Sequence, residues 1–89
     1  MISRRTPRFK KAFEELPPDL KELARTAFRQ FQTNPSHPSL RFKQVHTAAP
    51  IFAARVGLHD RALAIQEGDV LLWFWIGSHG EYDTLLRRL

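Results

Sequence analysis

Four histidines, fourteen basic residues and no cysteine bound the chemistry open to this 89-residue chain. Without cysteine there is no disulfide, no thiolate metal site and no thiol nucleophile, and a metal ion would have only histidines and carboxylates to bind. His37 sits in the proline-rich "TNPSHPS", His46 at the end of "RFKQVH" and His59 in "GLHD". No two of them have the i, i+4 spacing of a helical ligand pair or close carboxylate company, so no metal and no other cofactor is expected. His79 is different, because it stands in "GSHGEYD", just after the most apolar run of the chain, "VLLWFWI". Imidazole titrates near neutral pH and serves as acid or base. Tyr82 follows three positions later, where a helix brings it to the same side, with an aromatic ring suited to stack on a base and a hydroxyl suited to a phosphate oxygen.

The cations are unevenly spread. From Leu23 through His59 there is no Asp or Glu, while Arg25, Arg29, Arg41, Lys43 and Arg55 fall inside, and these five account for the whole net charge of +5. A segment holding only cations predicts a surface that faces a polyanion. Arginine suits phosphate because its planar fork binds two oxygens at once and stays charged. Arg55 and Arg61 flank the His59-Asp60 turn, but their relative face depends on the register of that turn. Arg41 and Lys43, two apart in a period-two stretch, are expected to project from one face of a strand, where they could hold a polyanion or merely solubilise the strand. Asp60 and Asp69 read as turn residues. The sequence has no Gly-rich phosphate loop, no pair of catalytic carboxylates and no recognisable serine-nucleophile motif.

The elements that must position these side chains follow from periodicity. The length suits one domain spanning residues 1–89 with one modest core. No uninterrupted apolar run reaches the roughly 18 residues of a membrane span, and "MISRRTPRFKK" lacks the apolar segment of a secretory signal, so a cytoplasmic protein with no membrane partner is expected. Phe9, Ala12, Phe13 and Leu16 recur at helical spacing before Pro17-Pro18. Leu20, Leu23, Ala24, Ala27, Phe28 and Phe31 continue as a second helical stripe up to "TNPSHP". The period then changes to two in "SLRFKQV", read as a half-buried strand with Leu40 and Phe42 on the inner side. "IFAARVGL", "RALAI" and "VLLWFWIG", separated by tight turns, form an antiparallel meander. The last of these strands is apolar on both sides, which places it inside the sheet with cover on each face. Trp73 and Trp75 are expected on one face of it, as packing residues. Ser78-His79-Gly80-Glu81 has the form of a capping box, and Tyr82, Leu85, Leu86 and Leu89 follow at helical spacing, so a terminal helix begins at His79.

This order of elements, with the segments "HPSLRFKQVH", "RVGLHDRALAI" and "GDVLLWFWIGSHGEYDTLL", resembles the RelE/ParE superfamily of toxins from type II toxin–antitoxin systems, across nearly the whole chain. The resemblance implies an α+β fold in which two N-terminal helices pack on an antiparallel-rich twisted sheet, the three-strand meander joined by an N-terminal strand, with a short C-terminal helix. Met1 to Arg5 is the segment available for that extra strand. For a RelE-like member the resemblance implies a ribosome-associated endoribonuclease that cuts messenger RNA without a metal. His79 would then be the acid or base, Arg61 and Arg55 the holders of the scissile phosphate, Tyr82 an accessory donor, and Arg41 and Lys43 the RNA clamp. It also implies a cognate antitoxin as partner, messenger RNA and the ribosome as targets, and operator DNA met only through the antitoxin complex. A ParE-like reading gives a gyrase poison without nuclease chemistry, and a third gives an inactive homologue that only binds its antitoxin. The basic set here is sparser than in the best studied ribosome-dependent members.

Overall fold

The computed structural model describes residues 2–89. It is an α+β arrangement with a five-stranded sheet in the order β1-β5-β4-β3-β2. Strand β1 (Ile2–Arg5) runs parallel to β5 (Val70–Ser78), and β5, β4 (Asp60–Glu67), β3 (Ile51–Val56) and β2 (Lys43–Gln44) are antiparallel neighbours. The N-terminal strand is thus formed by Ile2 onward, and Met1 lies outside the described residues. "SRR" holds a strand despite its polarity because it lies at the sheet edge, where only one side must pair and the other meets water. Trp73 Nε1 donates to Ser3 Oγ at 3.3 Å, and Thr6 N–H continues the ladder to the Trp73 carbonyl at 3.0 Å.

Thr6 also ends that strand by capping helix α1 (Pro7–Glu14): its hydroxyl accepts from Phe9 N–H at 3.1 Å, with Pro7 in the first helical position. Helix α2 (Pro18–Thr33) starts on the second proline of the break and carries the apolar stripe, of which Ala24 and Phe31 are buried. The two helices cover one face of the sheet over Ala54, Val56, Ala62, Ala64, Leu71, Trp73 and Ile76. Helix α3 (His79–Arg88) covers the opposite face with Tyr82, Leu85 and Leu86 over Ile51, Ala53 and Leu63. Strand β5 therefore has cover on both sides, as its all-apolar sequence requires.

Two expectations are corrected. The stretch "SLRFKQV" is a strand only at Lys43–Gln44. Pro38–Leu40 forms a single 3-10 turn, capped by the His37 ring, whose Nδ1 accepts from Ser39 N–H at 3.2 Å. Arg41 then adopts a left-handed conformation with φ 44°. The alternation of Leu40 and Phe42 is real burial, since Leu40 is fully buried and Phe42 packs edge-on against Phe31 with centroids 4.9 Å apart, but a corner rather than a strand produces it. Arg41 and Lys43 consequently do not share a strand face. The second correction concerns Trp73 and Trp75. Leu63 pairs with Trp75 while Ala64 pairs with Trp73, so Phe74 is an extra residue, a β-bulge, in β5. The bulge turns the strand over by one residue: Trp73 packs beneath α1 and α2, and Trp75 packs on the α3 side. Both tryptophans are packing residues, on opposite faces.

Candidate functional site

The register of the β3–β4 hairpin decides the site. Arg55 is the direct partner of Arg61, and directly opposed residues of an antiparallel pair point to the same face. That face is the one carrying Ala53 and Leu63, which α3 covers. The turn between them is made tight by Gly57 at φ +61°, a conformation that an L side chain resists. Each guanidinium is steadied by a nearby backbone carbonyl: Arg55 Nε donates to Gly57 O at 3.0 Å, and Arg61 Nη1 to Asp60 O at 2.8 Å. Neither is in a salt bridge among the described residues, so most of each donor fork is left for an anion.

Helix α3 begins beside this pair because β5 ends there. Gly77 is the partner of Arg61 and Ser78 of Asp60, so the next residue, His79, opens the helix at the end of the sheet that carries the turn. The join is fixed twice. His79 N–H donates to His59 O at 2.7 Å, and the capping box closes with Glu81 N–H to Ser78 Oγ and Ser78 N–H to Glu81 Oε1, each at 3.2 Å. Gly77 has a packing reason to be glycine, since a Cβ there would stand 2.6 Å from the Trp75 ring lying across it.

His79 is exposed, with Nδ1 3.1 Å from Asp83 Oδ2 one helical turn on and its ring edge-on to Tyr82 at 5.7 Å between centroids. Tyr82 itself is buried at 8 % exposure and anchors α3 in the second core. Burial pushes its phenol above the ordinary value, the Arg61 cation pulls it back, and the Asp83 anion adds to the rise. The Asp60 carboxyl is likewise raised, first by burial, with His59 opposing, Glu81 adding and Arg61 opposing. The mouth of α3 is therefore of mixed charge, with Asp60, Glu81 and Asp83 standing among the cations.

Of the residues singled out from sequence, the fold gathers Arg55, Arg61, His79 and Tyr82 around the β3–β4 turn and the start of α3. Lys43 pairs with Ala53 and so shares the face of Arg55, two residues along β3. Arg41 stands outside the ladder at its left-handed corner, exposed. His37 and His46 have turn-building roles; His46 Nδ1 accepts from Ala48 and Ala49 N–H at 3.2 and 3.1 Å. Asp83 is the residue that sequence reasoning missed, and the signal was available in its i, i+4 spacing from His79. Among the described residues no group of three His, Asp or Glu could hold a metal ion.

Comparison with known proteins agrees with this architecture. The ParE-like toxin domain family matches residues 18–84. Three solved structures share the fold: the toxin–antitoxin complex RelBE2 from Mycobacterium tuberculosis, at TM-score 0.67 and 20% identity over 88% of this chain and 96% of that one; the RelB-RelE antitoxin–toxin complex from Methanococcus jannaschii, at 0.70 and 17% over 90% and 95%; and YafQ from E. coli, at 0.71 and 10% over 90% and 94%. No curated protein sequence matches the chain. With more than half of its length matched, the chain belongs to the ParE-like toxin domain family, and so to the RelE/ParE superfamily of toxins from toxin–antitoxin systems. No helix of the described residues is long and apolar enough to cross a membrane.

Proposed function

We propose that the protein is an endoribonuclease toxin that cuts messenger RNA on the ribosome by metal-free transesterification and is silenced by a cognate antitoxin. The observation that carries this reading is the cross-strand pair Arg55–Arg61 set beside His79 at the start of α3. In the reaction, His79 takes the proton of a ribose 2′-hydroxyl as its oxygen attacks phosphorus. The bond from phosphorus to the 5′-oxygen breaks, a 2′,3′-cyclic phosphate forms, and the imidazolium returns its proton to the departing oxygen. Arg61 and Arg55 hold the charge that builds on the equatorial oxygens, helped by the positive dipole end of α3. Tyr82 keeps the helix in place, while Lys43, further along the face of Arg55, and Arg41 guide the RNA backbone.

The antitoxin partner is supported by two relatives that were solved as toxin–antitoxin complexes. It is also supported by an apolar cavity of about 250 Å³ between the helices and the sheet, lined by Phe9, Phe13, Phe28, Phe31 and Trp73 together with Arg5 and Arg25. A segment with apolar side chains and carboxylates matches that lining. Operator DNA is met only through the resulting complex.

A second reading, a ParE-like toxin that poisons gyrase without cleaving RNA, is favoured by one feature. The carboxylates of Asp60, Glu81 and Asp83 beside His79 oppose the approach of a polyanion. Cell-free translation with purified protein, with and without ribosomes, followed by primer extension along the message, separates the two. Cuts confined to translated messages are expected; intact messages together with stalled replication in cells would select the second reading.

A further inference from the structure

We propose that Asp83 is a positioning residue for His79, holding the ring in the tautomer that presents a bare Nε2 to the substrate; this rests on the endoribonuclease reading above. Three contacts meet at this histidine. Its backbone N–H is tied to His59 O in the β3–β4 turn at 2.7 Å, its ring lies edge-on to buried Tyr82, and its Nδ1 is 3.1 Å from Asp83 Oδ2. The backbone tie and the tyrosine fix where the residue sits; the carboxylate fixes how the ring is turned and which nitrogen bears hydrogen. An ionised carboxylate only accepts, so an Nδ1 that hydrogen-bonds to it carries the hydrogen, and in a neutral imidazole the other nitrogen is then the acceptor. The contact with Asp83 is made by Nδ1 and the residue is exposed, which leaves Nε2 as the nitrogen for a 2′-hydroxyl.

The contact is more than an incidental surface pair. Arg87 lies four residues after Asp83 on the same helix, the spacing of a favourable ion pair, yet Asp83 makes its contact with His79 and not with Arg87. Glu81, the other carboxylate near the ring in sequence, is committed to Ser78 through the capping box, leaving Asp83 as the acceptor for the ring. When His79 takes up a proton, the carboxylate already faces the new positive charge, and no rearrangement is needed during the step. An exposed pair of this kind adds little to stability, so its loss should be felt in the chemistry rather than in the fold.

The test begins with the ¹⁵N-labelled protein and long-range ¹H–¹⁵N correlation of the histidine rings at a pH where they are neutral. His79 is expected as the Nδ1–H tautomer, and in Asp83→Ala as a mixture in which the Nε2–H form, preferred by free imidazole side chains, appears. An Nε2–H ring in the unsubstituted protein, or an unchanged ring in Asp83→Ala, overturns the proposal whatever the activity. In the translation assay, Asp83→Ala is expected to cut at least about tenfold more slowly, with ribosome binding unchanged and Asp83→Asn intermediate because its amide oxygen still accepts. Equal cutting by Asp83→Ala and the parent overturns the proposal and leaves the nuclease reading standing. If the parent itself does not cut, the nuclease reading fails and the tautomer measurement alone decides whether Asp83 turns the ring.

Discussion

Arg55 and Arg61 occupy directly opposed positions of the β3–β4 ladder, so two guanidinium groups share one face beside the first turn of α3. Like charges in that relationship oppose folding, and cross-strand pairs are worth roughly 0.2–1 kcal/mol. A sheet selected only for stability would not place them so. Replacing Arg55 by Thr, a good strand residue, is expected to leave the melting temperature unchanged or slightly raised. The same change should lower message cleavage by a factor on the order of 10² to 10³, the scale of losing one preorganised oxyanion donor. Thermal unfolding and primer extension on the same preparation check both halves, and a variant that both melts earlier and cleaves normally would contradict them.

Arg61→Ala removes the other guanidinium of the pair, whose charge also acts on the Tyr82 phenol. Toxicity in growing cells is expected to vanish while antitoxin capture in a pull-down persists. Survival of full toxicity would favour the gyrase-directed reading.

Ser78→Ala removes the hydroxyl that accepts from Glu81 N–H and so opens the cap of α3. A loss of about 1 kcal/mol in chemical denaturation is expected, the usual cost of a serine cap. Because His79 is the next residue, cleavage should fall by more than the folded fraction does, and comparing the two at a temperature well below the melt isolates the positional part.

Gly77→Ala tests the packing beneath the arginines. The added methyl would stand 2.6 Å from the Trp75 ring, so the indole or the strand must shift, at a cost of about 1–3 kcal/mol. The measurement is denaturant unfolding followed by tryptophan emission. Trp73, on the other face, gives an unaffected background.

Asp60 provides a pH test. Burial raises its folded carboxyl above the ordinary value, so the native state binds this proton more tightly than the unfolded chain does. Its contribution is then most favourable in acid and is lost as the pH rises through the raised folded value. Asp60→Asn is therefore expected to be more stable than the parent at neutral pH, with the advantage shrinking as the pH falls toward and below the ordinary carboxyl range. Urea midpoints at several pH values measure it, and an advantage that grows in acid would refute the sign.

The parts legible in the sequence were those set by local rules. Ser78 and Glu81 announce the start of α3, and the all-apolar β5 announces an interior strand, because capping and burial act within a few residues. What was not legible depends on partners distant in the chain. The face of Trp75 turns on a bulge at Phe74 that exists only because β4 pairs as it does. The strand expected through Arg41 gives way to a corner made by the His37 ring and the burial of Leu40. The co-location of Arg55 and Arg61 depends on which residues close the turn, and the His79–Asp83 contact was open to a reading of helical spacing that attended only to Tyr82.

Strand β1 has a single neighbour, β5, and that neighbour is separated from it by more than sixty residues of chain. During synthesis the opening strand must wait, unpaired, until β5 has left the exit tunnel, and α3 with His79 follows it. A product that stops short of β5 therefore inherits neither a closed sheet nor His79. The delay comes from connectivity alone, because the first strand of the chain closes the sheet only against the last.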